Sequence, residues 1–222
     1  MDERARAREL AAEYLAKDDP TGWFEQLYRE AAKDVAKIPW ADLSPNPNLI
    51  EFWERHSIAS SGKRALNIGC GLGDDAEQLA CWGFETTAFD ISPSAIEACK
   101  RRFPGTNVRY RAADLLKPPD EWLREFDFVL ESYTLQALPS GLCREAIERI
   151  AGFVCKGGNL LLITRGREEE DAGGAVPWPL TRRELDRFTQ AGLRELSFED
   201  YFDTESPPVR RFRVLYQRPA AL

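Results

Sequence analysis

The sequence predicts an α/β fold: a doubly wound, mostly parallel, seven-stranded sheet with helices on both faces and an antiparallel C-terminal strand. Three observations carry this. From Arg64 to Thr164 short apolar runs alternate with amphipathic stretches, the pattern of strands joined by helical crossovers. A glycine-rich turn, Gly69-Cys70-Gly71-Leu72-Gly73, closes the first of those runs and opens the next helix. The last two runs, Leu193–Tyr201 and Arg210–Gln217, have no helix between them. So short a link cannot make a parallel crossover, so they pair antiparallel at the sheet edge.

Taken in order, residues from about Asp2 to Lys17 read as a helix, because Leu10, Tyr14 and several alanines recur at helical spacing among charges. Asp18-Asp19-Pro20 ends it, and Thr21 is positioned to cap a second helix containing Trp23, Phe24, Leu27 and Tyr28. Three prolines between Pro39 and Asn48 predict an ordered loop or lid, and a helical pattern resumes over Leu49–His56. Strands are then expected over Arg64–Gly69, Thr86–Asp90, Val108–Arg111, Phe126–Glu131 and Asn159–Thr164. The helices between them fall over Asp74–Trp82, Pro93–Arg102 and Leu142–Val154. Ser92 before Pro93 is an N-cap followed by a proline at the first helical position. Thr181-Arg182-Arg183-Glu184 is a capping box opening a helix to about Ala191. The glutamate-rich segment from Arg165 to Pro179 reads as a mobile loop. Residues 1–58 are expected to form helices and a lid packed on a core of residues 59–222, one domain overall.

Composition excludes several classes. Of 222 residues, 43% are hydrophobic and 30% charged, the balance of a soluble globular chain rather than a disordered one. Thirty basic against 37 acidic residues give a net charge of −7, which repels a phosphate backbone, so no nucleic-acid partner is expected. The longest apolar runs are too short to cross a bilayer, and the charged N-terminus has no apolar signal core. No membrane partner is expected, and the expected location is the cytoplasm. The five cysteines, Cys70, Cys81, Cys99, Cys143 and Cys155, show no C-x-x-C spacing and are joined by a single histidine. No metal site is expected, and the thiols read as reduced.

The chemistry-bearing residues lie at strand ends. Glycines at Gly69 and Gly71 let the backbone turn sharply and approach a ligand, and the helix beyond offers free N–H groups. A dinucleotide fingerprint would place a third glycine where Asp74 stands. An acid at a helix start repels a pyrophosphate and suits a cationic or zwitterionic ligand, so the turn favours a nucleoside without phosphates. Asp90 ends the second strand, roughly 20 residues on, where a carboxylate can accept both ribose hydroxyls. A helix-capping role is its alternative. Asp114, just after the third strand, can accept from an exocyclic adenine amine or simply close a surface turn. All three features sit at the carboxyl ends of consecutive strands, where open α/β sheets bind ligands.

On these residues the segment from Arg64 to about Thr164 resembles a class I S-adenosylmethionine-dependent methyltransferase, with the Rossmann-like fold of that class. Asn67–Gly73 is similar to its glycine motif, Asp90-Ile91 to its ribose acid and Ala113-Asp114-Leu115 to its adenine turn. Asn67 departs from the acid found in many members. The resemblance implies S-adenosyl-L-methionine as cofactor, with Gly69, Cys70, Gly71, Asp90, Ile91, Ala113, Asp114 and Leu115 around it. A narrower resemblance, to the thiopurine, thiol and halide methyltransferase group, rests on three segments. They are Gly22-Trp23-Phe24-Glu25 with Pro39-Trp40-Ala41-Asp42, then Glu131 to Pro139, then Asp171 to Trp178. It implies that Trp23 covers the cofactor and that Tyr133 faces the methyl donor. Asp42 is displaced by one from the group's usual Trp-Asp pair, and Ala175-Val176 interrupt its glycine–proline lid.

The implied reaction is methyl transfer to a small molecule, with a thiol, another chalcogen or a halide as acceptor. A soft nucleophile needs little proton removal, whereas an alcohol or phenol needs a general base. The one histidine, His56, precedes the first strand on a charged helix and reads as structural. Tyr133 is the candidate catalytic side chain. Glu131 has three open roles: binding the cofactor ammonium, binding a substrate cation, or capping the next segment. Trp40 and Trp178 are expected to close an aromatic lid on the acceptor, or to anchor their loops. The rivals are an O- or N-methyltransferase, a non-catalytic cofactor binder and a nicotinamide-dependent dehydrogenase. Oligomeric state is not legible.

Overall fold

Strand–helix alternation builds the expected sheet. The computed structural model describes residues 3–171 and 174–220, which leaves Asp2 of the first predicted helix and Ala172-Gly173 of the lid segment outside the described residues. Helices α1 (Glu3–Leu15), α2 (Gly22–Glu30) and α3 (Pro47–Arg55) precede β1 (Arg64–Ile68). Then follow α4 (Asp74–Cys81), β2 (Glu85–Asp90), α5 (Pro93–Arg102), β3 (Arg109–Ala112), β4 (Phe126–Ser132), α6 (Ser140–Phe153) and β5 (Val154–Arg165). Two single-turn helices, α7 (Arg182–Leu185) and α8 (Arg187–Gln190), lead to β6 (Arg194–Phe202) and β7 (Arg210–Gln217). Among the described residues the sheet has seven strands in the order β3-β2-β1-β4-β5-β7-β6. All neighbours are parallel except β7, which runs antiparallel to both β5 and β6.

Period-two alternation divides the core between the two faces. On β5, Leu160 and Leu162 pack with α6, while Leu161 and Ile163 pack with Leu49 and Phe52 of α3. β4 does the same: Val129 joins the first cluster, Phe128 and Leu130 the second. The chain reverses its direction of travel across the sheet between β1 and β4, and such a switch point opens a crevice at the strand ends.

Local chemistry explains where the elements begin. Ser92 Oγ accepts the Ala95 N–H at 3.0 Å with Pro93 at the first turn of α5, and Lys100, Arg101 and Arg102 in its last turn suit the helix dipole. The capping box at Thr181 and Glu184 forms. Three expectations are corrected. Thr21 makes no side-chain cap; Asp19 Oδ1 takes the Gly22 N–H instead, at 2.8 Å. The prolines between Pro39 and Asn48 do not exclude helix throughout, because Pro47 occupies the first turn of α3, where its missing N–H costs nothing. The predicted helix after Thr181 is two separate turns. β5 also starts earlier than expected, with a register irregularity against β4. Among the described residues no helix is long and apolar enough to cross a membrane.

Candidate active site

A cavity of about 820 Å³ opens at the carboxyl ends of the parallel strands, at the switch point. Its floor at one end is the glycine turn. Gly69 and Gly71 have φ of +56° and +54°, a region open to glycine and strained for other residues. A Cβ at Gly69 would collide with Thr134 Oγ1, and one at Gly71 would stand 3.1 Å from Tyr28 Oη. The turn is closed by the Cys70 N–H on Phe89 O at 2.9 Å and the Gly73 N–H on Cys70 O at 2.9 Å.

Asp90 ties this turn to the next strand. Its Oδ2 accepts the Gly71 N–H at 3.0 Å and its Oδ1 the Ser92 N–H at 2.9 Å. The residue is 6% exposed. Burial pushes its carboxyl up to about 6, opposed by the Ser92, Gly71 and Ile91 N–H donors. Each oxygen keeps a lone pair, so the group can accept further from vicinal hydroxyls. Asp114 Oδ1 accepts the Leu116 N–H at 2.8 Å; its side chain lines the cavity beside Ala113 and Leu115. Helix α2 is held over this end by Glu25, which accepts from Ser92 Oγ at 2.7 Å and from Ser94 Oγ at 2.8 Å. Trp23 and Tyr28 of α2 thereby reach the cavity.

The other end is assembled from distant segments. Asn48 Nδ2 donates to Tyr133 Oη at 3.0 Å, and Tyr201 Oη donates to Asn48 Oδ1 at 2.7 Å. Tyr133 holds φ +66°, a strained value for an aromatic residue and a mark of local over-determination. The Arg211 guanidinium lies 4.7 Å above its ring. Burial raises the Tyr133 phenol, with Arg211, Asn46 and Asn48 opposing, so its hydroxyl orients rather than accepts a proton at neutral pH. Asp75, at the start of α4, also faces the cavity. It accepts the Asn46 N–H at 2.7 Å, and burial pushes its carboxyl up to about 6.

Of the residues singled out from the sequence, Trp23, Trp40, Gly69, Cys70, Gly71, Asp90, Ile91, Ala113, Asp114, Leu115 and Tyr133 all line this one cavity. Four expectations shift. Glu131 is fully buried beneath the cavity rather than in its wall. Its Oε1 accepts the Thr134 and Leu135 N–H groups, both at 2.8 Å, which is the capping role. Burial pushes that carboxyl up to about 7. Trp178 stays behind the wall formed by Val176 and Pro177, packed on the α1–α2 cluster with Trp23. Trp40 stands at the glycine end, its indole N–H on Tyr28 Oη at 3.0 Å. Asp74 is paired with Arg102 through two contacts of 2.7 Å, so its bare charge is not what disfavours a pyrophosphate. His56 lies away from the cavity, stacked on Phe52 with ring centroids 4.1 Å apart.

Asn48, Asp75, Arg165, Tyr201 and Arg211 were not found from the sequence. The proline-flanked asparagines of Pro45-Asn46-Pro47-Asn48 were the one local signal for any of them.

The glycine end fits S-adenosyl-L-methionine. The backbone has room where a Cβ would intrude, the buried Asp90 carboxylate retains acceptor capacity for ribose hydroxyls, and Phe89, Ile91, Ala113 and Leu115 offer apolar walls for a base.

Comparison with known proteins agrees. Residues 65–158 match the methyltransferase domain family. The ubiquinone biosynthesis O-methyltransferase of Dechloromonas aromatica is 31% identical over 124 residues, covering 55% of this chain and 52% of that protein. The chain thus spans about half the length of that relative. The thiopurine S-methyltransferase of Vibrio atlanticus is 23% identical over 179 residues, covering 75% of this chain and 82% of that protein. Among solved structures, the N-methyltransferase NodS from Bradyrhizobium japonicum, in complex with S-adenosyl-L-homocysteine, superposes with a TM-score of 0.68 at 20% identity. That match covers 88% of this chain and 98% of NodS.

Proposed function

We propose that this chain, which belongs to the class I S-adenosylmethionine-dependent methyltransferases, methylates a small-molecule acceptor held beside the cofactor in the strand-end cavity. Asp90 carries the reading: a buried carboxylate fixed by two backbone N–H groups at a glycine turn is built to grip a ribose diol. Bound there, the cofactor supplies an electrophilic methyl group; the acceptor's lone pair forms the new bond while the carbon–sulfonium bond breaks and its electron pair returns to sulfur.

The protein's own part is placement. Asp114, Ala113 and Leu115 line the base end, Trp23 and Trp40 cover the glycine end, and Tyr133, fixed through Asn48 and Tyr201, sets the wall facing the acceptor. Holding two reactants aligned and dry supplies roughly 7–11 kcal/mol where the geometry is ideal.

A thiol, another chalcogen or a halide is the favoured acceptor because such a nucleophile needs little proton removal, so neither histidine nor phenol chemistry is required of the cavity. The one histidine lies outside it, and the Tyr133 phenol is raised by burial. One observation favours the second reading, an oxygen or nitrogen acceptor: the Asp75 carboxyl, at about 6, lines the cavity and could serve as base. The deciding experiment is S-adenosylhomocysteine release with iodide, bisulfide, aromatic thiols, a phenol, a catechol and simple amines. Turnover limited to thiols or halides supports the first reading. Turnover limited to oxygen or nitrogen acceptors, and lost in Asp75→Asn, replaces it with the second.

A further inference from the structure

The tips of β5 and β7 hold a charge arrangement that methyl transfer alone leaves unexplained. Arg165 and Arg211 are direct cross-strand partners, and like charges in that position repel. The two are treated differently. The Arg211 side chain is 3% exposed and held by two carboxylates: its Nε stands 2.6 Å from Asp203 Oδ2, Glu205 accepts from its far nitrogen, and its plane covers the Tyr133 ring. Arg165 has no such partner. Among the described residues nothing accepts from its guanidinium, and its Nε is buried with no hydrogen bond. Its backbone, by contrast, is anchored, the N–H donating to Gln136 Oε1 at 2.7 Å.

Scarcity of acids does not explain this, because the chain carries 37 acidic residues against 30 basic ones. Nor can arginine escape by losing its proton near neutral pH. Burial and the neighbouring charges of Arg211 and Arg4 all work against the Arg165 cation, with Glu205 partly offsetting them. A half-desolvated charge with no acid beside it costs stability until a counter-ion arrives. Arg165 lines the cavity, at the end opposite Asp90 and Asp114 and beyond Tyr133 in the sheet order.

We propose that Arg165 is a specificity-determining residue that binds an anionic group, a carboxylate or a group of like shape and charge, on the methyl acceptor. The acceptor is therefore a small anion-bearing molecule, oriented with its nucleophilic atom toward Tyr133. Guanidinium presents a planar fork of donors matched to a carboxylate, and Arg211, already satisfied by Asp203 and Glu205, contributes field without competing for the ligand. This inference rests on the methyl-transfer reading of the same cavity. The cofactor's own amino-acid carboxylate is the other source of such an anion, and the experiment separates the two.

The test is calorimetric. S-adenosylhomocysteine is titrated first, then the loaded protein is titrated with 3-mercaptobenzoate and with its methyl ester, which masks the charge with one methyl group. The acid should bind about tenfold or more tightly than the ester. Arg165→Gln should abolish that gap and Arg165→Lys restore part of it, while thermal melting shows both variants folded. Equal binding of acid and ester to the natural protein, or a gap that survives in Arg165→Gln, overturns the inference. A parallel arm compares S-adenosylhomocysteine with 5′-methylthioadenosine, which lacks the amino-acid carboxylate. If Arg165→Gln weakens the former alone, Arg165 serves the cofactor and the acceptor assignment is overturned. Failure of the natural protein to bind S-adenosylhomocysteine overturns the methyl-transfer reading and this inference with it.

Discussion

The two ends of the cavity are built by different means. At the glycine end the contacts around Asp90 are local: Gly71, Asp90, Ser92 and Asp114 lie within one stretch of two βα units, and backbone N–H groups do most of the holding, with Glu25 of α2 added from outside that stretch. At the far end Asn48, Tyr133, Tyr201 and Arg211 come from α3 and from the strand tips, and Asn48 and Tyr201 are 153 positions apart. The charges differ as well. Asp90 and Asp114 face the cavity from one end; at the other, Arg165 and Arg211 face it together with Asp203 and Glu205. On the proposed reading, a nucleoside is gripped where a short motif specifies the backbone, and an acceptor where only the finished fold brings the side chains together.

The sharpest way to break this contrast is to remove the two arginines separately. Arg211→Met would leave the Asp203 side chain, 8% exposed, without its ion-pair partner. Breaking a buried pair from one side costs about 3–5 kcal/mol. Arg165→Met should cost nothing or stabilise the protein, since it removes a like-charge neighbour and strands no acid. Denaturant unfolding of both variants checks this. Equal losses would mean that Arg165 has a structural partner and that the far end is not held open for a ligand.

At the glycine end the largest effect is expected on affinity. Asp90→Ala should weaken S-adenosylhomocysteine binding at least about tenfold, since hydrogen bonds to a charged group are each worth roughly 1.5–3 kcal/mol. The acceptor end, sharing no residue with this contact, should keep its preference among analogues. Unchanged cofactor affinity by calorimetry would remove Asp90 from the site.

A pH series sharpens the same point. Burial raises Asp75 and Asp90 to about 6 from 3.8, and Glu131 to about 7 from 4.5. Between about pH 4 and 7 the folded chain therefore binds more protons at these groups than the unfolded chain does. Through these groups, the stability of the ligand-free protein should fall as pH rises through that window. Ligand binding should run the other way. A ribose diol donates to the Asp90 carboxylate, so cofactor affinity should hold above about pH 6 and drop roughly tenfold per unit below it. Melting temperatures with and without S-adenosylhomocysteine should thus converge toward acid pH; a constant gap would mean that Asp90 is not the group being gripped.

This division also explains what the sequence made legible. The sheet, the antiparallel β7 and the cavity-lining residues from Gly69 to Leu115 follow from spacing, because strands, turns and capped helices are local objects. Thr21 was misjudged because the Phe24 N–H bonds its backbone carbonyl rather than its side chain, while Asp19 supplies the acceptor for the Gly22 N–H. Glu131 was left among three roles because its position on β4 does not say whether it points into the cavity or beneath it. In the sequence Arg165 opens the segment that reads as a mobile loop, and Arg211 lies in a charged run of the C-terminal strand pair. Only the pairing of β5 with β7 sets them side by side, and only the segment around Asp203 decides which of the two is satisfied.

The smallest expected effect tests whether the cap over the cavity acts as one body. Trp178 does not touch the cavity; it packs with Trp23 and Val176 on the α1–α2 cluster, and its indole N–H donates to Gly174 O at 3.1 Å. Trp178→Ala should therefore loosen both ends together, weakening cofactor and acceptor analogue alike by about threefold, through lost packing of the order of 1 kcal/mol after partial relaxation. Trp40→Ala should differ. Its indole holds Tyr28 Oη over Gly71, so the loss should fall on the cofactor and leave the acceptor analogue unaffected. Two titrations on each variant distinguish the cases. If Trp178→Ala weakens the acceptor alone, the segment carrying Val176 and Pro177 moves independently of α2, and the far end has a lid of its own.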